Sequence, residues 1–312
     1  MSGIIGVSPD MRSGIIDKKP YSIISYSGYV VYKFSKTGSH TFDNPESRWY
    51  QILLVAGGGS GGNMGWGGSN GGGGGGAGGV CYYHWSYLQK GSIPLHVGAG
   101  GVSRNDQNSS GTNDHHLCNT GNGENTWVDG LKVIAIGGGV GGGDANESSQ
   151  NGGTGGSGGG GANDSGSAGT GTTNQGFDGS AATYSTNGYA GGGGGANQAG
   201  QASGMGGQGF QEGSSRLDCA HGTNTTTVPA NFQNGSTNTR YAGGGSSGRW
   251  TNDGQTTGGA GGGGGGGAQG NHGTNGTDGL GGGGGGGSAE SGALNRKGGN
   301  GGSGVILMRY AT

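Results

Sequence analysis

The sequence predicts a mainly β fold with almost no α-helix, in which short strands frame a sandwich-like bundle of polyglycine II helices. Three observations predict it. Glycine supplies 93 of 312 residues. It is concentrated in unbroken runs at Gly71–Gly76, Gly158–Gly161, Gly191–Gly195, Gly261–Gly267 and Gly281–Gly287. Short β-branched and aromatic runs bracket these, and no stretch shows an amphipathic helical period of useful length. An isolated oligoglycine has the most backbone entropy to lose and no side chain to bury in return. The runs are therefore either disordered or held by packing backbone against backbone. A polyglycine II helix has three residues per turn, a rise of ~3.1 Å and no internal hydrogen bonds, so a seven-residue run spans roughly 22 Å. Without side chains, such helices approach until each outward N–H meets a neighbour's C=O, as burial requires. The bracketing strands and the matched lengths of the two longest runs favour the ordered state. Every interior position then demands glycine, among them Gly74, Gly193, Gly264 and Gly284.

The elements follow in order. Residues 1–20 contain Ser2-Gly3-Ile4-Ile5 and its repeat Ser13-Gly14-Ile15-Ile16. They read either as a docking arm acting through Ile4, Ile5, Ile15 and Ile16, or as an unstructured leader. Residues 21–34 are β-rich, and residues 37–42 continue as a polar hairpin strand. Arg48 to Ala56 is the strongest strand and runs straight into Gly57-Gly58-Gly59. Further strands are expected at 80–85, 93–97, 126–128, 131–136 and 304–310. The return to a strand at the end makes the glycine-rich stretch a closed insertion, folded back on its own sheet. Residues 21–312 then form one glycine-rich domain. Its β-framework is 21–136 and 304–310, and its bundle with polar loops lies within 57–303.

Composition excludes several functions. The 15 Lys+Arg and 17 Asp+Glu leave a net charge of −2, with no electrostatic reason to bind nucleic acid or an anionic membrane. No segment approaches the roughly 20 apolar residues that span a bilayer, and the first residues lack the pattern of a secretory signal. Five prolines and unbroken glycine runs exclude collagen, and Arg-Gly-Gly, expected of RNA-binding glycine-rich segments, does not occur. Enzyme signatures are missing: no phosphate-binding loop, no His-Glu-x-x-His, and no strand-to-helix Gly-x-Ser-x-Gly. Asp144, Glu147, Asp178, Glu212 and Glu290 are dispersed and read as solvated loop charges rather than a hydrolytic carboxylate pair. No catalytic residue and no cofactor are expected.

Trp49-Tyr50-Gln51-Ile52-Leu53-Leu54-Val55-Ala56-Gly57-Gly58-Gly59 resembles the strand that leads into the glycine region of bacteriophage glycine-rich tail-fibre and adhesin domains. Gly71 to Val80, followed by Ile93 to Gly101, is similar to their second and third strands, and Gly298 to Tyr310 to their closing strand. The resemblance implies a virion receptor-binding protein, extracellular when it works, whose distal loops recognise host surface polysaccharide or outer-membrane protein. It also implies attachment to other tail or fibre proteins through the N-terminus. Phage fibres often trimerise, whereas a self-satisfied bundle permits a monomer. The alternative is a structural virion protein, a capsid-attached fibre or spike without a specific receptor.

Candidate contacts lie in the polar loops: His115, His116, Arg216, Phe232, Arg240, Tyr241, Arg249, Trp250 and His272. Exposed aromatics offer apolar faces to sugar rings, and Asn, Asp and Arg supply directional hydrogen bonds. The bland reading is that the aromatics cap the ends of the bundle, and for Arg249-Trp250 contact and capping stand level. His115, Cys118, Cys219 and His221 carry ligand types that suit zinc, but their spacing matches no standard module. A Cys118–Cys219 disulfide is the competing expectation.

Overall fold

The longest runs of apolar and branched residues form the central strands, which pair residues from opposite ends of the chain. The structure, a computed structural model, describes residues 19–64, 71–103, 121–143, 150–163, 165–183, 190–219, 225–230, 232, 239–249, 256–288 and 296–312. The strands are β1 (Ser22–Tyr26), β2 (Tyr29–Phe34), β3 (Gly38–Asn44), β4 (Arg48–Val55), β5 (Val80–Leu88) and β6 (Gly91–Val97). They continue with β7 (Trp127–Val128), β8 (Phe210–Gln211), β9 (Ser215–Leu217), β10 (Thr225–Thr227), β11 (Arg240–Tyr241) and β12 (Val305–Ala311). The chain is mainly β, and no helix occurs among the described residues.

The principal sheet has the order β1-β2-β12-β4-β5, with every neighbour antiparallel. The last strand therefore sits in the middle of the sheet, between β2 and β4. Ser27 and Gly28 join β1 to β2 with φ of 42° and 78°, the left-handed conformation that two-residue hairpin turns require. A smaller sheet, β3-β6-β7, covers one face of the principal sheet. Phe42, Leu95, Val97 and Val128 from it meet Tyr50, Ile52, Leu54 and Ile306 in one core. The opposite face carries Val31, Leu53, Val55, Tyr82 and Leu307, packed against Phe210, Val228, Phe232 and Tyr241 in a second core. Arg309 is 2% exposed on that face. It donates to Gln51 Oε1 (2.7 Å) and Tyr26 Oη (3.2 Å) and lies over the rings of Tyr29 and Phe232.

Two expectations about strands need correction. Residues 131–136 form no strand; within them, only Ala135 makes a β-bridge, to Thr126. Asp129-Gly130 turns the chain, and side chains then take the place of a partner strand: Val133 N donates to Tyr83 Oη and Ile136 N to Gln175 Oε1. Conversely, the polar stretch that holds the loop candidates Arg216, Phe232, Arg240 and Tyr241 contains β8 paired with β11, and β9 paired with β10.

Beyond β4 the chain changes its manner of pairing. In residues 57–62, every backbone N–H donates to another segment, at 2.8–3.1 Å. Partners recur every third residue. Gly59 and Gly62 donate to Gly76 and Gly73, Gly58 and Gly61 to Gly302 and Gly299, and Gly57 and Ser60 to Glu124 and Gly121. The buried segment 72–79 does the same. Its residues at positions 72, 75 and 78 donate to 287, 284 and 281; those at 73, 76 and 79 donate to 142, 139 and 136; and those at 74 and 77 donate to 191 and 194. It accepts from three more segments, through Gly59 and Gly62, Gly245 and Gly248, and Ser157 and Gly160. Among the described residues, six segments thus surround one. Side chains are shut out at the four glycines expected to be interior. A Cβ on Gly74 would lie 2.9 Å from Gly193 N, and one on Gly193 2.9 Å from Gly74 O. One on Gly264 would lie 2.8 Å from Gly285 N, and one on Gly284 2.7 Å from Asn300 O. Both of the longest runs open in a turn, where Gly261 and Gly262 have φ of 108° and 94° and Gly281 has φ of 69°.

Where a segment lies at the outside and lacks a further neighbour, side chains complete the pattern. His272 Nδ1, Asn275 Oδ1 and Asp278 Oδ1 accept from the N–H groups of Lys297, Asn300 and Ser303, each at 2.9 Å. In return, Gly273, Gly276 and Gly279 donate to the carbonyls of the same three residues. Asn122 and Asn125 play the same part for Val140 and Gly137.

Candidate functional site

Of the residues singled out as contacts, several turn out to build the scaffold. Arg216 leaves β9 and spends its guanidinium on backbone carbonyls. Nε donates to Val80 O (3.0 Å), Nη1 to Ala196 O (3.1 Å), and Nη2 to Asn174 O (3.0 Å) and Gln175 O (2.6 Å). It also faces the Phe210 ring. Such a fork of donors clamps three segments together, and burial draws its pKa down from the ordinary guanidinium value. Phe232 and Tyr241 are 0% and 1% exposed, so neither can present a ring to a ligand; both belong to the second core. Glu212, expected as a solvated charge, is 1% exposed. It accepts from Tyr241 Oη (2.8 Å) and Phe232 N (3.1 Å), as a buried carboxylate must. Burial, followed by the charge of Glu212, pushes the Tyr241 phenol far up.

Other candidates stay at the surface or lie elsewhere. Arg240 is half-buried in β11 opposite Gln211. Arg249 is half-buried, and its N–H donates to Gly267 O. His272 is exposed, but its Nδ1 is already engaged by Lys297 N. Desolvation, then the charges of Arg296 and Lys297, lowers its pKa. His115, His116, Trp250, Ile4, Ile5, Ile15 and Ile16 lie outside the described residues. So do Cys118 and His221, leaving Cys219 alone among the proposed metal ligands. Among the described residues, Cys219 Sγ lies 2.7 Å from Cys81 Sγ, a pairing not anticipated from the sequence.

A surface that the sequence reading assigned to the framework is better placed for contact. Trp49 on β4 is directly opposite Tyr87 on β5. Their rings are 5.4 Å apart at 59°, and they are 56% and 51% exposed. Trp85, two residues before Tyr87, is 40% exposed. All three continue the face that carries Leu53, Val55 and Tyr82, beyond the reach of the second core. A register shift between Tyr50 and Ile52 separates the covered from the uncovered part of β5. Next to Trp85, His84 Nδ1 meets Thr226 Oγ1 (3.2 Å), which ties the β9–β10 hairpin to this edge. Paired, solvent-facing aromatics offer an apolar platform to a flat or ring-shaped ligand. The sequence carried part of this signal: strand alternation sets Trp49 and Tyr87 on the face opposite their neighbours Tyr50 and Leu88, which are buried.

The sequence profile of the family described as a glycine-rich domain matches residues 35–311. None of the curated proteins matches the chain.

Proposed function

The chain belongs to the glycine-rich domain family, and on that footing we propose that it is a receptor-binding protein of a phage virion, a tail fibre or fibre-tip adhesin, built on a polyglycine II bundle. The observation that carries this reading is the three-residue period of the inter-segment hydrogen bonds, with one segment surrounded by six. A helix of three residues per turn directs successive N–H groups to three neighbours in rotation. A scaffold of that kind draws its order from backbone alone, so its connections can change sequence without disturbing it, which suits a protein that must track a varying receptor.

The receptor would be a host surface polysaccharide or outer-membrane protein. Contact would come from the loop at Arg249-Trp250 and from the platform of Trp49, Trp85 and Tyr87. Attachment to the virion through residues 1–20 and display at its exterior belong to the same proposal, with the chain acting as a monomer or as a homotrimer. The test is binding of the fluorescently labelled, purified protein to a panel of bacterial strains, with surface polysaccharide as competitor. Saturable binding to a narrow set of strains is expected. It should weaken in the Trp250→Ala variant, in the Trp49→Ser, Tyr87→Ser double variant, or in both. A folded protein that binds no strain, the phage's own host included, would overturn the receptor reading in favour of a structural virion protein.

A further inference from the structure

Cys81 lies fully buried in β5, and Cys219 lies half-buried just after β9. The backbone holds them side by side: Cys219 N donates to Tyr82 O (2.8 Å), and Tyr82 and Asp218 form a parallel bridge. Their sulfurs are 2.7 Å apart, although 138 positions separate them in the chain. The two thiols are not alike. Contact with Cys81 pulls the Cys219 thiol below its ordinary value, and the positive charge of Arg216 acts in the same direction. The same contact, then burial, pushes Cys81 up. Cys219 is also the more accessible of the two, as an attacking thiol must be.

We propose that Cys81 and Cys219 are a site of oxidative cross-linking, closed into a disulfide by a low-molecular-weight disulfide such as oxidised glutathione. The Cys219 thiolate attacks one sulfur of the oxidant, whose S–S bond breaks and releases one thiolate. A mixed disulfide on Cys219 results. Cys81 then gives up its proton and attacks Cys219 Sγ, which forms the protein S–S bond and expels the second thiolate. The two protein thiols lose two electrons, and the oxidant takes them up with the two protons as two free thiols. The bond covalently ties the arm that carries β9 and β10 to the central sheet, next to the edge that exposes Trp85. The cross-link does not depend on the receptor-binding reading.

The test uses the full chain, reduced and then incubated with oxidised glutathione, quenched in acid, alkylated and digested without reductant. The expected product is a peptide pair joining Cys81 to Cys219, with Cys118 outside it. The Cys118→Ser variant should form the same link and lose the mass of two hydrogens. In Cys81→Ser, the reaction should stop at a glutathione adduct on Cys219. The proposal is overturned if Cys81 and Cys219 both remain alkylated in a sample whose circular dichroism shows it folded, or if either is found joined to Cys118. A Cys81→Ser protein without an adduct on Cys219 would overturn the assignment of Cys219 as the attacking thiol.

Discussion

Leu54 and Gly74 are both buried, yet opposite changes would undo them. Leu54 sits in a core of interlocking side chains, where the danger is a void. Gly74 sits among backbones, where the danger is an atom too many. One chain thus contains two solutions to burial. The sheets exclude water with apolar side chains. The glycine segments exclude it by bringing donors and acceptors of different segments into register, and the lack of a Cβ is what permits the approach. Stability in the first region rises with the amount of side chain, and in the second it falls with it.

Adding one carbon should therefore have the largest effect. Gly74→Ala places a Cβ 2.9 Å from Gly193 N and closer still to the Gly245 carbonyl. Neither can retreat without breaking bonds to its own neighbours. A loss beyond about 4 kcal/mol is expected, seen as failure to give a cooperative urea transition. The control is Gly279→Ala, where φ is 76° and nothing lies within 4 Å of the added carbon. It meets only backbone strain, about 1–2 kcal/mol. Equal effects at the two sites would break the comparison.

Removing side chain should come second. Leu54→Ala, in the core shared with the smaller sheet, is expected to cost about 2–5 kcal/mol in the same assay. The edge of the glycine region follows. Asn275→Ala takes away the acceptor of Asn300 N. With both groups exposed, the loss should be about 1 kcal/mol.

The smallest effect concerns pH. His272 accepts through Nδ1, which only a neutral ring tautomer can do, and its pKa is lowered in the folded chain from 6.5. Its contribution is therefore complete above the unfolded value and is lost as pH falls through the folded one. Thermal midpoints of the native chain should drop slightly more than those of His272→Gln from about pH 7 to about pH 5. Parallel pH profiles would remove His272 from the edge pairing.

The sequence made one of the two regions much easier to read than the other. β2, β4 and β12 are continuous runs of large or branched residues, so their existence and the return of the chain to one sheet were legible. β8 to β11 were not, because each spans two or three residues and none is mainly apolar. Residues 131–136 look like a strand by composition, but a strand also needs a partner, and here single side chains stand in for one. Arg216, Phe232 and Tyr241 read as loop contacts because one or two large residues in a polar stretch carry no period to show which way they face. The edges of the glycine region did carry one. In His272-Gly273-Thr274-Asn275-Gly276-Thr277-Asp278-Gly279 and Lys297-Gly298-Gly299-Asn300-Gly301-Gly302-Ser303, a polar residue recurs at every third position. Those are the residues that exchange hydrogen bonds at the rim.

The central claim is that the glycine segments are ordered by pairing with one another. Amide hydrogen exchange followed by mass spectrometry tests it most directly. Peptides covering 72–79 and 281–287 should exchange as slowly as those covering β4 and β12, because every N–H of 72–79 and of 283–287 has a carbonyl partner in another segment. Exchange there at the rate of an unstructured glycine peptide, while β4 and β12 remain protected, would contradict the account.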